Sequence, residues 1–192
     1  NVRAEKFMKH YFLLAREIGH LTRILCARIE AQSLKAQKLV LQEAVEGFPV
    51  KSNRLSITNP EIFRKFPAEI VHIFRASQTS GIDIHPDALR HMKPALGTLA
   101  LHNEEACPLF LEILLDPARA EQTLRRMNEA DVLGALIPEF RNIVAHMQYD
   151  MYHAFTADEH TLYAVGLMHK LEKGELVQTA PLASELFPKI HS

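Results

Sequence analysis

Apolar residues recur every three or four positions over the first 34 residues, the spacing that places side chains on one face of an α-helix. The residues with this spacing are Phe7, Tyr11, Leu14, Ile18, Leu21, Leu25 and Ile29. The pattern predicts one long helix from Arg3 to Leu34 whose apolar stripe is buried. Lysine and arginine outnumber glutamate up to Val45. We expect this basic surface to be solvated helix rather than a phosphate-binding face.

The composition changes between Glu46 and Thr58, where apolar residues flank the turn-forming pair Ser52-Asn53. This arrangement predicts a short β-hairpin or an extended loop. Asn59-Pro60-Glu61 follows and has the character of a helix cap with proline in the first turn. A further helix is expected to start at Pro67 and to end at Gly81, with its apolar residues facing inward.

Between Ile82 and Glu139 the chain reads as a succession of helices separated by prolines. The connections are short, which favours antiparallel neighbours, and little of the sequence alternates with the period of two that is typical of strands. The sequence therefore predicts an all-α fold, a multi-helix bundle with at most one short hairpin.

A second strong signal begins at Thr156, which is followed three residues later by Glu159. A threonine and a glutamate at this spacing predict a capping box, in which each side chain accepts a hydrogen bond from a backbone N–H group left unpaired at the helix start. We predict that a helix begins here and stops at Gly174, after a basic last turn.

His160 lies in the first turns of this predicted helix. The apolar residues that stand four, seven and eleven positions later are Ala164, Leu167 and Leu171. This spacing predicts that the imidazole faces the protein interior. Two interpretations stay open at this point: a core histidine whose ring is hydrogen-bonded to a backbone carbonyl, or one ligand of a metal. A lone histidine cannot make a metal site.

Other groups near His160 are possible partners in such a site. His146, His153 and His160 stand seven residues apart, which would bring them near one face of a continuous helix. The capping box interrupts that helix, so we do not expect a three-histidine metal site. Asp158 and Glu159 could orient a metal-bound imidazole as carboxylate partners. Interaction with the positive end of the helix explains both residues equally well, and we favour that explanation.

The composition narrows the class of protein. A length of 192 residues with 47% apolar residues suits one domain, or one domain and part of another. The 22 Lys and Arg nearly balance the 23 Asp and Glu, so nothing points to nucleic acid or to a membrane surface. Cys26 and Cys107 are too few for a disulfide framework, and we expect both to be reduced thiols in the core of a cytoplasmic protein.

Three stretches of the sequence resemble one known family. They are EKFMKHYFLLAREIGHLTRIL from Glu5, LIPEF from Leu136, and HMQYDMYHAFTADEHTL from His146. Together they resemble the bacterial bifunctional PII uridylyltransferase/uridylyl-removing enzymes. In that family a nucleotidyltransferase domain is followed by a helical segment, an HD-type metal phosphohydrolase domain and two ACT domains.

The resemblance implies a division of the chain. Residues 1–150 would form the helical connecting domain that follows the nucleotidyltransferase domain. Residues 151–192 would be the truncated start of the HD domain, with the boundary between Tyr149 and Thr156. His160 in the DEHTL stretch resembles the first ligand of the H…HD…D metal pattern, and Asp158 and Glu159 are then candidates to support it.

The remaining motifs of the family are missing from this sequence. It contains no His-Asp dipeptide and no Gly-Ser followed by paired aspartates. The resemblance thus implies a connecting fragment that is inactive alone, with no catalytic residue and no bound cofactor of its own. In the parent enzyme a divalent metal, Mg²⁺ or Mn²⁺, would activate a water that attacks the phosphorus joining UMP to a tyrosine of PII.

The same resemblance implies the partners of the parent enzyme. They would be the PII signalling protein, with UTP and glutamine acting through parts outside this chain, and neither nucleic acid nor membrane. The main alternative is a non-catalytic helical protein-interaction module in which His160 is a packed core residue. A third possibility is a relative that keeps the architecture and has lost one of the two activities.

Overall fold

The computed structural model describes residues 2–34, 44–100, 103–147 and 155–190. Within these ranges the chain forms ten α-helices, one 3₁₀ helix and a small sheet of three two-residue strands. The prediction of a mostly all-α fold is therefore confirmed. Most of the predicted boundary between Tyr149 and Thr156 lies outside the described residues.

Between Ile62 and Arg141 the helices follow one another closely along the chain. The α-helices are α1 (Val2–Leu34), α2 (Ile62–Lys65), α3 (Glu69–Ser80), α4 (Pro86–Met92), α5 (Ala106–Leu115), α6 (Ala120–Glu129), α7 (Val132–Leu136), α8 (Pro138–Arg141), α9 (Ala157–Glu172) and α10 (Pro181–Ile190). The strands are β1 (Val50–Lys51), β2 (Arg54–Leu55) and β3 (Asp83–Ile84), and the 3₁₀ helix spans Lys93–Thr98. Among the described residues no helix is both long and apolar enough to cross a membrane.

Helix α1 has the predicted length but not the predicted orientation. All seven residues of its apolar stripe are exposed, from 45% for Leu14 to 68% for Phe7. The prediction that this stripe is buried is wrong. The helix carries apolar residues on more than one face. A spacing of three and four residues shows which residues share a face. It does not show which face packs on the described part of the protein.

The opposite side of α1 contacts the body of the protein, and Ala27 is buried there with 5% exposure. Three charged residues at intervals of seven positions form ion pairs with that body. The pairs are Arg16–Asp131 (2.7 Å), Arg23–Glu129 and Glu30–Arg54 (2.8 Å). Residues seven apart lie close to one helical face, so α1 is attached largely through polar contacts.

The predicted hairpin is confirmed between β1 and β2, which pair antiparallel. Its two turn residues both have positive φ, 52° at Ser52 and 57° at Asn53, as a two-residue hairpin turn of the type I′ family requires. Strand β3 adds to β2 in parallel, with Leu55 opposite Ile84. This third strand was not predicted, because two residues are too few to show alternation.

The core is built around α3, where the predicted inward stripe is confirmed. Ile70 and Ile73 are fully buried, and Phe74 is 1% exposed. The helix ends at Gly81, whose φ of 72° is a left-handed conformation that glycine adopts without strain. Helix α3 packs on α5, α5 packs on α6, and α6 in turn packs on α9. A continuous series of packed helices therefore connects the core to α9, the helix that carries His160.

Candidate functional site

Helix α9 starts where the sequence predicts. Thr156 is the residue before its first turn, with an extended backbone (φ −69°, ψ 157°), and the helix runs from Ala157 to Glu172. The side chain of Thr156 makes no capping hydrogen bond, so the predicted capping box is wrong in its side-chain part. The backbone supplies a partner instead, because the N–H of Ala157 donates to the carbonyl of His146 over 2.7 Å.

His160 is exposed on the outer side of α9, so the prediction that its imidazole faces the interior is wrong. The buried residues of the helix are Asp158, Leu162 and Gly166. They lie at intervals of four, and their face is about 160° away from His160 around the helix axis because each residue turns the helix by about 100°. The prediction failed because it considered only apolar residues, whereas an acidic residue and a glycine belong to the buried face.

Asp158 can be buried because both of its carboxylate oxygens accept hydrogen bonds. The side-chain amide of Asn128 donates to Oδ2 over 2.8 Å, and the backbone N–H of Ala145 donates to Oδ1 over 3.2 Å. Asp158 and Asn128 are 4% and 3% exposed. A buried charge without partners would be strongly destabilising, so these bonds decide which face of α9 turns inward.

Glu159 is held by a second contact to α6. Its carboxylate forms an ion pair with Arg125, and Arg125 also donates to Glu121 over 2.9 Å and 3.1 Å. The guanidinium therefore bridges a carboxylate on each helix. The carboxylates of Asp158 and Glu159 thus bind groups on α6 and the N–H of Ala145. Their predicted support of a metal-bound imidazole stays a prediction.

Two further residues of α9 fix it against the body of the protein. A Cβ atom added at Gly166 would overlap the carboxylate of Glu121, so the glycine permits the close approach of α9 to α6. His169 places its Nε2 atom 2.9 Å from the carbonyl oxygen of Leu114. The histidine that bonds to a backbone carbonyl is thus His169 and not His160, a distinction that the residue spacing did not predict.

The ring of His160 is accessible to a metal ion. The ring is exposed, and an accessible imidazole can bind a divalent metal. Within the described part of the chain no group of three or more His, Cys, Asp or Glu side chains is arranged to hold a metal ion. His146 is exposed, and His153 lies outside the described residues. A complete site at His160 therefore needs further ligands.

A groove of about 320 Å³ between α1 and the body is a second candidate site. It is lined by Arg23, Arg54 and Arg126 together with Asp83 and Glu129. Burial lowers the pKa of Arg54, but its hydrogen bond to Glu30 and the charge of Asp83 outweigh burial and raise the pKa overall. All three arginines have carboxylate partners, so the groove offers little free positive charge to an anionic ligand.

His85, the residue immediately before α4, has a lowered pKa. Burial lowers the pKa of His85, the nearby charges of Lys51 and Arg54 lower it further, and the carboxylate of Asp87 opposes both. The Nδ1 atom of His85 accepts a hydrogen bond of 3.2 Å from the backbone N–H of Asp87. The neutral ring thus caps α4, away from the contacts that hold α9.

The family model that matches this chain and two of its relatives are all described as uridylyltransferases. A family model described as the uridylyltransferase GlnD third domain matches residues 48–136. The bifunctional uridylyltransferase/uridylyl-removing enzyme of Azospirillum brasilense is 46% identical over 199 aligned residues, which cover 98% of this chain and 21% of that protein. The protein of the same description from Rhodospirillum rubrum is 39% identical over 196 aligned residues, with the same coverage.

The chain thus spans about a fifth of the length of the curated relatives it matches. No solved structure matches it. The matched third-domain region ends at residue 136 and includes α6. It does not include α9, which carries His160.

Proposed function

The chain belongs to the family of bifunctional uridylyltransferase/uridylyl-removing enzymes, and from this premise we propose that it is a segment of one such enzyme. The whole enzyme would attach UMP to the PII signalling protein and remove it by hydrolysis, as part of nitrogen regulation. UTP and glutamine would act through its other domains, and the enzyme would be cytoplasmic. The observation that carries this proposal is the 46% identity over nearly all of the chain.

Within that enzyme, residues 1–150 would connect the nucleotidyltransferase domain to the hydrolase domain, which would begin within residues 151–192. The match of residues 48–136 to a third domain supports a connecting position, since that name places other domains before it. The packing of α6 on α9 supports direct contact between the connecting domain and the start of the hydrolase. Alone, the segment would catalyse neither reaction.

His160 would be the first ligand of the hydrolase metal, Mg²⁺ or Mn²⁺, and the other ligands would come from residues outside this chain. Its place two residues after the buried Asp158 supports this role, because the ring is exposed on a helix whose other face is held. Asp158 and Glu159 would act on His160 by holding this helical turn in place.

The test is a substitution in a longer version of the protein that includes both the nucleotidyltransferase domain and the hydrolase domain. His160→Ala should abolish metal-dependent release of UMP from uridylylated PII and leave the attachment of UMP unchanged. His10→Ala removes another exposed imidazole, on α1, and should change neither reaction. Hydrolysis that survives in the His160→Ala protein would exclude the residue as a metal ligand.

A non-catalytic interaction module is the alternative, and one observation favours it. The apolar stripe of α1 is exposed, and exposed apolar surface of this extent commonly marks contact with another protein surface. An interaction module would bind its partner equally well with His160 replaced by alanine and with all divalent metal removed by a chelator. The hydrolase segment would lose UMP release in both conditions.

A further inference from the structure

Three residues on one face of α6 meet three residues of α9, and the pairs run in opposite directions along the two helices. The pairs are Glu121 with Gly166, Arg125 with Glu159, and Asn128 with Asp158. On α6 the three are spaced by four and three residues, as one helical face requires. Helix α9 is thus held along its length and most firmly at its first turn.

We propose that Asn128 and Arg125 are positioning residues for His160. This inference rests on the proposed function, and it adds that the third domain sets the geometry of the hydrolase site through α6. Both residues lie inside the region that matches the third-domain model, whereas their partners lie beyond it. The contact therefore joins the region that matches the third-domain model to a helix outside that region.

The position of the two contacts along α9 supports this role. Asp158 and Glu159 are the two residues immediately before His160, so both contacts lie within one helical turn of the imidazole. Rotation of α9 about its own axis would swing His160 out of place, and the buried Asn128–Asp158 bond opposes that rotation. Small displacements matter because an error of about 1 Å in a catalytic constellation can reduce a rate about 100-fold.

The two contacts differ in their exposure to solvent. The Asn128–Asp158 bond is buried, so breaking it leaves one oxygen of a buried carboxylate unpaired, and only the N–H of Ala145 still donates to Asp158. The Arg125–Glu159 pair is partly solvated, with side-chain exposures of 31% and 36%, so water replaces the lost partner. A variant of Arg125 will therefore fold even if a variant of Asn128 does not.

The test compares Asn128→Asp with the exchanged pair Asn128→Asp/Asp158→Asn. The single variant places two carboxylates against each other. The exchanged pair restores an amide opposite a carboxylate, and the amide oxygen introduced at position 158 can still accept from the N–H of Ala145. Arg125→Ala provides the milder variant. Arg126→Ala is the matched control, since the neighbouring guanidinium faces Asp83 and Ser77 instead of α9.

The first readout is amide hydrogen exchange along α9 in the 192-residue chain, which involves neither metal nor activity. Asn128→Asp should speed the exchange of the first two turns of α9 by roughly tenfold or more, and the exchanged pair should restore protection. Arg125→Ala should give a smaller increase, and Arg126→Ala should give none. If none of these variants changes α9, the proposal is wrong.

The second readout is a Mn²⁺ titration of UMP release in the protein that includes the hydrolase domain. Asn128→Asp and Arg125→Ala should raise the Mn²⁺ concentration for half-maximal release, by roughly tenfold for the stronger variant. Attachment of UMP should be unchanged in the same preparations. The exchanged pair should return the titration towards that of the unmodified protein.

Two further results would overturn the proposal. One is an unchanged Mn²⁺ titration in variants whose α9 exchanges faster. The other is an equal loss of UMP attachment and UMP release, which would show a general structural role for these residues. Failure of the proposed function is recognised separately, because His160→Ala would then leave UMP release intact whatever the variants of α6 do.

Discussion

The side-chain amide of Asn128 on α6 donates a 2.8 Å hydrogen bond to the carboxylate of Asp158 on α9, and both groups are buried. This one bond joins the region that matches the third-domain family model to the helix that carries His160. It also explains why an acidic residue occupies the inward face of α9. Its strength can be measured in the isolated chain.

Replacing Asn128 with alanine should lower the free energy of unfolding by about 1–3 kcal/mol, because one oxygen of the buried Asp158 carboxylate then loses its hydrogen-bond donor. The measurement is equilibrium unfolding in urea. Glu129→Ala is the control on the adjacent residue, which forms an exposed ion pair with Arg23 and should cost about 0–1 kcal/mol. Equal effects of the two substitutions would contradict the assigned role of the buried bond.

The two apolar stripes of the chain should respond differently to truncation. Ile73 on α3 is fully buried, and Ile73→Ala should cost about 2–5 kcal/mol because it removes contacts and leaves a cavity. Ile18 on α1 is 64% exposed, so Ile18→Ala should change stability by about 0.5 kcal/mol or less. A large cost at Ile18 would show that the stripe of α1 is covered in solution.

Stability should depend on pH through His85. Burial depresses its folded-state pKa below the ordinary value of 6.5. At pH values between the folded-state pKa and 6.5, the unfolded chain therefore binds more protons than the folded chain. The contribution of the neutral ring is therefore present above pH 6.5 and is lost as the pH falls through the folded-state pKa. Protonation also removes the Nδ1 lone pair that accepts from the N–H of Asp87.

The check is to compare urea unfolding of the unmodified chain and of His85→Asn at about pH 7.5 and about pH 5. Asparagine can cap a helix through its side-chain oxygen and does not titrate in this range. The unmodified chain should lose more stability than the variant between the two pH values. The same loss in both proteins would assign the pH dependence to other groups.

Alanine should be tolerated better at Gly19 than at Gly166. Both glycines lie inside helices, where alanine is favoured by about 1 kcal/mol. A Cβ atom meets open space at Gly19 and the Glu121 carboxylate at Gly166. Gly19→Ala should therefore raise the midpoint of thermal unfolding, whereas crowding at Gly166 should cancel or exceed the gain. A similar rise in both variants would show that the Glu121 carboxylate moves aside at little cost, so that Gly166 is not required for the contact between α9 and α6.

Local signals in the sequence predicted much of this fold. The span of α1, the hairpin turn at Ser52-Asn53, the end of α3 at Gly81 and the start of α9 at Thr156 are all set by residues within a few positions of each other. Such features depend on backbone preferences and on spacing, which a single sequence shows directly.

The orientation of the helices could not be predicted in the same way. The outward face of α1 and the inward face of α9 depend on ion pairs and hydrogen bonds to residues from 13 to 115 positions away. Asp158 is buried only because Asn128 and Ala145 supply donors. The spacing of apolar residues along one helix contains no information about such distant partners.

The sequence predicted the helix that carries the candidate site but not the residues that contact this helix. The resemblance of the DEHTL stretch drew attention to His160, and the structure places that residue at the exposed start of α9. The contacts from Arg125 and Asn128 were not predicted, because neither residue stands in a recognisable motif. Their spacing on α6 becomes meaningful only when α9 is packed against it.

The central claim, that His160 is a metal ligand of the uridylyl-removing hydrolase, is tested most directly by locating the metal. The measurement is the anomalous scattering of Mn²⁺ in crystals of the protein extended through its hydrolase domain. We expect a Mn²⁺ ion bonded to an imidazole nitrogen of His160, together with ligands from outside residues 1–192. A fully occupied Mn²⁺ site in the hydrolase domain with His160 outside coordination distance would contradict it.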